Sequence, residues 1–346
     1  MYKYLADFDD HVLITARQDE RAGLSAIIAI HDETLGPAIG GCRILEYPSN
    51  DAALTDVLRL SRGMTYKTAI AGVPYGGGKA VVIADPAKDK TTALLHAMAD
   101  FVESLGGRYI TSFDSGTTLK DIRTIAERTE FAAGFLPEAG DASGSTASGV
   151  YHCMRAAADM VFGASDLRGM RIAIQGVGNV GSRVAERLAD DGASLIIADV
   201  DERLAADVAK RTGAKHVRTA DILETDVDIV SPCALGAILS STSIPKLKAR
   251  IVVGGANNQL AGKGDDGMLR EAGILYCPDY LANAGGIIDL HYQRTQWSRS
   301  AVERHVSGLA DTLREVVDRS RRSGLGTAVV ADKIAEERFR RDARGT

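Results

Sequence analysis

The amino-acid sequence predicts an α/β protein in two domains, and three observations carry that prediction. At 346 residues the chain is longer than one compact core usually organises. Strand-like apolar runs alternate with stretches of helical periodicity along most of its length. In the second half, a glycine-rich turn at 176–181 joins one such strand to one such helix.

The elements follow in order. Ser25–His31 is rich in branched residues and reads as a strand, broken by Gly36-Pro37. Asp51–Tyr66 reads as a helix, with Leu54, Val57, Leu58 and Met64 near 3.6-residue spacing and Ser49 or Asn50 as its cap. A glycine-rich turn, Gly76–Gly78, precedes a buried-strand run, Lys79–Ala84. A helix over Thr91–Leu105 and a strand over Arg108–Thr111 complete the first half. Ala139–Gly149 is small, polar and glycine-bearing, and reads as a linker before a helix at Val150–Val161. A regular βαβ series follows: strand Arg171–Gln175, helix Asn179–Asp190, strand Ser194–Asp199, with further strands at Val227–Ser231 and Arg250–Val253. Val302–Arg344 reads as mostly amphipathic helix with a highly charged end from Glu336. The expected domains are 1–140 and 141–330, with 331–346 as a charged tail.

Composition removes several classes of function. The formal net charge is −5, and the acidic and basic residues are interleaved, so no general phosphate-binding surface and no nucleic-acid partner is expected. MYKYLADFDD lacks a basic segment followed by an apolar one, and no apolar run reaches the roughly 18–20 residues that span a bilayer. A cytoplasmic protein without a membrane partner is expected. Cys42, Cys153, Cys233 and Cys277 form no C-x-x-C pair, and the seven histidines no metal-binding cluster, so neither a disulfide framework nor a metal is expected.

The turn at 176–181 has the form Gly176-x-Gly178-x-x-Gly181. Alone it is a weak signal, since glycine is frequent here. Its context is stronger: an apolar strand before it, a helix after it, and a second strand ending at Asp199, 23 residues beyond Gly176. Such glycines let the backbone approach a pyrophosphate whose charge rests on the helix N-terminus. A carboxylate at Asp199 accepts from ribose hydroxyls and repels a 2′-phosphate, which favours NAD over NADP. The second glycine-rich stretch is not a nucleoside-triphosphate loop. Gly78-Lys79 is followed by Ala80, where Ser or Thr would be needed, and position 73 is Val.

Lys67, in GMTYKTAIAG, and Lys79, in PYGGGKAVV, sit among apolar and glycine residues, where lysine is seldom placed without reason. Two amines in one cleft each raise the cost of protonating the other, so one suits base chemistry while the other holds a substrate carboxylate. Asp114 follows a predicted strand and is placed to exchange protons with a substrate nitrogen. Snorkelling lysines and a capping aspartate are the alternative reading.

Seven stretches then bear on the choice: LGPAIGGCR (35–43), RLSRGMTYKTAIAGVPYGGGKAVV (59–82), YIT-x-x-D-x-GTT (109–118), QGVGNVG (175–181), PCALGAIL (232–239), GGANNQL (254–260) and PDYLANAGG (278–286). In these the chain resembles the Glu/Leu/Phe/Val amino-acid dehydrogenase family, in its leucine, valine, phenylalanine and tryptophan branch, over about residues 20 to 330. The resemblance implies an N-terminal substrate and catalytic domain with a mixed sheet, a C-terminal Rossmann domain, and a homo-oligomer, dimer or larger. It implies reversible NAD-dependent oxidative deamination of an L-amino acid to a 2-oxo acid and ammonia. By the same resemblance Lys67 binds the substrate carboxylate, helped by the backbone at Gly40 and Gly41. Lys79 is the general base that activates water, and Asp114 shuttles a proton to or from the amine. Asn258 contacts the carboxylate, and Ile39, Ser112, Ile287 and Leu290 line the side-chain pocket. Gly176, Gly178, Asn179, Val180, Gly181, Asp199, Cys233 and Ala234 hold the dinucleotide, and Thr146 and Asn257 position its nicotinamide.

The chain departs from the family pattern at Phe113 and Ser115 around Asp114, at the hinge DASGSTA (141–147), which lacks the usual prolines, and at Asp289 and His291. These changes leave the reaction class intact. The apolar pocket favours a branched-chain or aromatic amino acid, while Asp289 or His291 offers a polar edge suited to an indole N–H. Two alternatives accompany this reading: a specialised tryptophan or aromatic enzyme that feeds a 2-oxo acid to secondary metabolism, and a catalytically silent NAD-binding relative.

Overall fold

The computed structural model describes residues 7–234 and 236–341. The MYKYLA opening, Leu235 of the PCALGAIL stretch and the last part of the charged tail, 342–346, lie outside them. The chain divides into two compact units. One runs to Asp141 and also takes Asp289–Trp297 and the chain from Ala335 onward. The other takes Ala142–Ile288 and Ser298–Ile334.

In the first unit, β1 (Leu13–Asp19) and β2 (Leu24–Asp32) form a hairpin, followed by β3 (Ala38–Leu45) and α1 (Asn50–Ala71). Then come β4 (Gly76–Ile83), α2 (Thr92–Glu103), β5 (Tyr109–Phe113) and α3 (Leu119–Ala126). The strand order is β1-β2-β4-β3-β5, with β1 and β4 antiparallel to β2, and β3 parallel to both β4 and β5. The sheet is mixed, as the family resemblance implies. One face packs on α2 and α3 through Ile28, Ile30, Val82, Leu94, Met98 and Ile122. The other packs on α1 through Ala29, Val57, Leu58 and Val81. Ser49 caps α1 by accepting from Ala52 N (3.1 Å), and Gly72, at φ 69°, ends the helix in the left-handed conformation.

The second unit opens with α4 (Ser143–Phe162), β6 (Arg171–Gln175), α5 (Asn179–Asp190), β7 (Ser194–Ala198), α6 (Glu202–Thr212) and β8 (Lys215–His216). It continues with β9 (Ile229–Pro232), β10 (Ile251–Val252), α7 (Asp265–Glu271), β11 (Leu275–Tyr276) and α8 (Asp279–Ala282). The helices α9 (Gly285–Arg294), α10 (Arg299–Ser307), α11 (Leu309–Ser323) and α12 (Thr327–Arg341) finish the described chain. Its six strands are all parallel, in the order β11-β10-β9-β6-β7-β8. This is the doubly wound sheet of a Rossmann fold.

Two expectations are corrected. Gly76–Gly78 is not a turn but the first part of β4, because only glycine fits there. An added Cβ would lie 2.0 Å from Asp32 O at Gly76, 2.0 Å from Thr65 N at Gly77 and 2.7 Å from the Tyr109 ring at Gly78. The stretch 139–149 is not a loop throughout, since α4 starts at Ser143. Its small residues let Gly149 pack against Ala282 O, 2.6 Å from the position of a Cβ. The C-terminal region is mostly helix, as expected, in three helices separated at Gly308 and Gly324–Gly326. Strands β1 and β3 were not apparent from periodicity.

Candidate active site

In the first unit three strands bring the charged side chains together. Cys42 of β3 pairs with Ala80 of β4 on one side and with Phe113 of β5 on the other. The next-door residues Lys79 and Asp114 therefore flank β3, and between them lies Gly41. A Cβ on Gly41 would stand 2.7 Å from Asp114 Cβ and 2.7 Å from Phe113 O. The absence of a side chain at Gly41 is what lets the two strands present their charges to one place. Lys79 Nζ and Asp114 Oδ2 form a direct ion pair with 8% and 16% of the side chains exposed.

Asp114 is held from several directions. Its N–H donates to Thr117 Oγ1 (2.8 Å), and Thr117 Oγ1 donates onward to Cys42 O (2.9 Å). Gly116, at φ 79°, allows this turn to close on β3, where Ile44 N donates to Ser115 O (3.0 Å). Asp114 Oδ1 accepts from Ser115 N and faces Arg43 Nη2 at 3.5 Å. Burial by itself would raise the Asp114 pKa. The charges of Lys79 and then Arg43 outweigh it and hold the carboxyl at about 2.

Lys67 lies on α1, one turn beyond Met64, whose side chain reaches within 3.4 Å of where a Gly40 Cβ would sit. Gly40 and Gly41 are fixed by the buried phenol of Tyr109, which donates to Gly40 O (2.8 Å) and Gly41 O (3.2 Å). The predicted pocket residues Ser112 and Leu290 meet around Gly134. A Cβ there would be 2.7 Å from Leu290 Cδ2 and 2.8 Å from Ser112 Oγ. Gly134 has φ 89°. Ser112 Oγ is buried with no hydrogen-bond partner among the described residues, and Ile39 is fully buried within β3. Of the departures, Asp289 accepts from Gln293 Nε2 (3.0 Å), and Gln293 Oε1 accepts from Leu136 N (3.2 Å). His291 stands edge-on to Tyr75 (5.7 Å). Both belong to the packing of the segment Asp289–Trp297.

In the second unit the three glycines of the turn have three different surroundings. Gly176 has φ 90° and would strike Ala234 with a Cβ (2.6 Å). Gly181 would strike Gly176 O (1.9 Å), so it allows α5 to pack on β6. Gly178 caps α5, and a Cβ there meets nothing within 4 Å. That open side, at a helix N-terminus with free N–H groups, fits a pyrophosphate. Asp199 Oδ2 accepts from Val177 N (2.7 Å) and Oδ1 from Asp201 N (2.9 Å), which fixes the carboxylate and leaves lone pairs for a diol. Val180 lies 2.7 Å from the position of a Gly255 Cβ, and Cys233 Sγ accepts from Gly255 N (3.4 Å).

Asn257 Oδ1 accepts from Asn283 Nδ2 (2.8 Å), which also donates to Gly255 O (3.2 Å). This orients the Asn257 amide. Asn258 is one of three non-glycine residues with positive φ among the described residues, at 53°, in a loop tied down by Ala237 N donating to Asn258 O (2.6 Å). Thr146 Oγ1 donates to Ala142 O (3.0 Å) in the first turn of α4, where Gly285 and Gly286 pack against it. Ile287 is buried. Arg43, Thr117, Tyr109, Gly134 and Asn283 carry the site's geometry and were not singled out by sequence. Arg43, Thr117, Tyr109 and Asn283 stand inside quoted motifs, which was the available signal.

Among the described residues no group of three His, Cys, Asp or Glu side chains is placed to hold a metal ion, and no helix is long and apolar enough to cross a membrane. The profile described as "Glu/Leu/Phe/Val dehydrogenase, dimerisation domain" matches residues 10–131, and that described as "Glutamate/Leucine/Phenylalanine/Valine dehydrogenase" matches 140–203 and 196–331. The chain is 43% identical to leucine dehydrogenase of Bacillus cereus over 342 residues, 98% of this chain and 93% of the relative. It is 42% identical to valine dehydrogenase of Streptomyces virginiae over 349 residues, 98% and 96% of the two chains. The crystal structure of L-tryptophan dehydrogenase from Nostoc punctiforme superposes with a TM-score of 0.85 at 40% identity, covering 97% of each chain. The chain belongs to the Glu/Leu/Phe/Val dehydrogenase family.

Proposed function

We propose that the protein is an NAD-dependent L-amino acid dehydrogenase that reversibly converts an apolar, branched-chain or aromatic, L-amino acid to its 2-oxo acid and ammonia. The observation that carries this reading is the buried Lys79–Asp114 pair beside the glycine backbone of β3. A structural ion pair has no need of such bare surroundings. The relatives' names, leucine, valine and tryptophan dehydrogenase, supply the substrate class.

The chemistry follows from the residues. The ammonium of Lys67 holds the substrate carboxylate, assisted by the Gly40–Gly41 backbone, and Asn258 adds a second contact to the same group. The bound cofactor supplies the acceptor for the Cα hydride. Asp114 takes a proton from the substrate ammonium, leaving the free amine from which hydride departure is feasible. Lys79, once it has released its own proton, takes one from water as that water adds to the iminium carbon. Asp114 then returns a proton to nitrogen, the C–N bond breaks as the carbonyl forms, and ammonia takes up the hydroxyl proton and leaves as ammonium. Gly176, Gly178, Asn179, Val180 and Gly181 hold the pyrophosphate. Cys233 and Ala234 help hold the dinucleotide, Thr146 and Asn257 position its nicotinamide, and Asp199 binds the ribose. The carboxylate at Asp199 disfavours a 2′-phosphate, which supports NAD. Ile39, Ser112, Ile287 and Leu290 receive the side chain. A homo-oligomer is expected, since the first unit matches a profile described as a dimerisation domain.

The test is a cofactor-reduction assay with leucine, valine, phenylalanine and tryptophan, run with NAD and with NADP. Turnover with at least one of them and NAD is expected. No turnover with any amino acid, despite NAD binding, would favour a silent relative. Exclusive use of NADP would overturn the role given to Asp199.

A further inference from the structure

The bridge between Asp114 and the helix α1 is unused by the mechanism above. Arg43 lies on β3 with 22% of its side chain exposed. Its Nη1 donates to Asp56 Oδ2 of α1 (2.9 Å), and its Nη2 faces Asp114 Oδ1 (3.5 Å). Asp56 Oδ2 also accepts from the Tyr47 hydroxyl (2.6 Å). Arg43 Nε is buried and has no hydrogen-bond partner among the described residues, so the guanidinium is committed through its two terminal nitrogens. The planar fork thus connects two carboxylates, one fixed to α1 and one beside Lys79. On the outer side, Arg43, Tyr47 and Asp56 border a surface hollow of about 460 Å³.

We infer that Arg43 is a positioning residue: anchored by Asp56 and Tyr47, it fixes the orientation of the Asp114 carboxylate and its ionised state for proton exchange with the substrate amine. This rests on the deamination reading for its kinetic consequence, though not for its electrostatic one. The groups facing Asp114 are Lys79 from β4, Arg43 and the Cys42 thiol from β3, and the Tyr109 phenol from β5, with Asp121 of α3 near Cys42. Cys42 is pushed up to about 12 and Tyr109 well above its ordinary value, chiefly by burial, so neither contributes charge near neutral pH. Lys79 and Arg43 are the two cations that set Asp114, and of these Lys79 must change its protonation during turnover. Arg43 cannot, since its guanidinium stays protonated. It is the constant charge of the site. Without it, each release of the Lys79 proton would leave Asp114 with no cation beside it.

Two variants test this with opposite signs. Arg43→Gln removes a cation. Its kcat should fall about 10- to 100-fold with KM for the amino acid altered much less, and the acid limb of kcat/KM, which reports the coupled Lys79–Asp114 pair, should move to higher pH. Asp56→Asn keeps Arg43 but removes an anion behind it. Its kcat should fall by a smaller factor, and the acid limb should move to lower pH. A merely structural Arg43 would leave the acid limb unmoved in both, and that result overturns the inference. Carboxyl-carbon NMR titration, assigned with Asp114→Asn, gives a readout independent of turnover. The Asp114 signal should titrate at higher pH in Arg43→Gln than in the unsubstituted protein, even if no amino acid proves to be a substrate. An unchanged titration sinks the inference, whereas absent turnover with the shifted titration sinks only the deamination reading. Should Arg43→Gln fail to fold, Asp56→Asn decides: an acid limb that stays or moves to higher pH contradicts the bridge.

Discussion

Asp114 in the first unit and Glu303 in the second are both carboxyls held at about 2, yet they are held there by different means. At Asp114, burial opposes ionisation, and only the charges of Lys79 and Arg43 overcome it. At Glu303, on α10, the largest influence is a hydrogen bond from His152 Nε2 (2.9 Å). Burial works against it, and Ser148 Oγ (2.7 Å) and the Arg187 charge add to His152. Glu303 is 46% exposed and joins α10 to α4 and α5. The difference teaches that a depressed carboxyl is no mark of a reactive site on its own. A group whose acceptors are taken by fixed helix donors is a strut. Asp114 is paired instead with a buried lysine, where the bare backbone of Gly41 lets neighbouring strands approach closely, and it is this carboxylate that the proposed mechanism uses.

Breaking the Asp114 side of the comparison should have the largest effect. Lys79→Ala is expected to cut kcat toward the upper end of the about 10²–10⁴-fold range for a lost acid–base group. NAD affinity, measured by fluorescence titration, should change less than threefold. Equal losses in both would make Lys79 structural. Asp114→Asn should lower kcat by about 10²-fold or more. It should also lower thermal stability, because it leaves the Lys79 charge buried beside a second cation. Activity loss without any stability loss would contradict the buried pair.

Much of the fold was legible because its local signals agree. The strand–turn–helix at 171–190, a cap at Ser49 or Asn50 and the helix over 51–66, which the structure extends to Ala71, need only periodicity and capping to be read. What failed were places where glycine is required by neighbours distant in sequence. Gly76–Gly78 resembles a turn in one dimension, whereas in space each glycine is pressed against Asp32, Thr65 or Tyr109. Gly178 has the opposite environment, open on its Cβ side, and only the structure separates the two cases. Likewise Lys79 and Asp114 were recognisable by residue type and motif. The bracing from Arg43, Thr117 and Tyr109 depends on β3 lying between β4 and β5, which no local pattern encodes. The glycine contrast gives a third prediction. Gly178→Ala should fold normally and raise the cofactor KM about tenfold, which corresponds to about 1.4 kcal/mol of lost binding. Gly77→Ala should instead yield little folded protein. Normal cofactor KM in Gly178→Ala would move the pyrophosphate away from α5.

The smallest effect belongs to the strut. Glu303→Gln should leave kcat and both KM values unchanged within twofold and lower stability by about 0.5–1.5 kcal/mol, given the solvent exposure of the group. The pH dependence follows from the direction of the shift. Glu303 sits at about 2 when folded against an ordinary 4.5, so its contribution is complete above about pH 4.5 and disappears as the pH falls toward 2. Denaturant melts of the two proteins at pH 7 should therefore differ, and the gap should close between pH 4.5 and 2. A gap that stays constant through that window would mean that the ionised carboxylate is not what joins α10 to α4. A loss of activity at pH 7 without loss of stability would erase the distinction drawn between the two carboxylates.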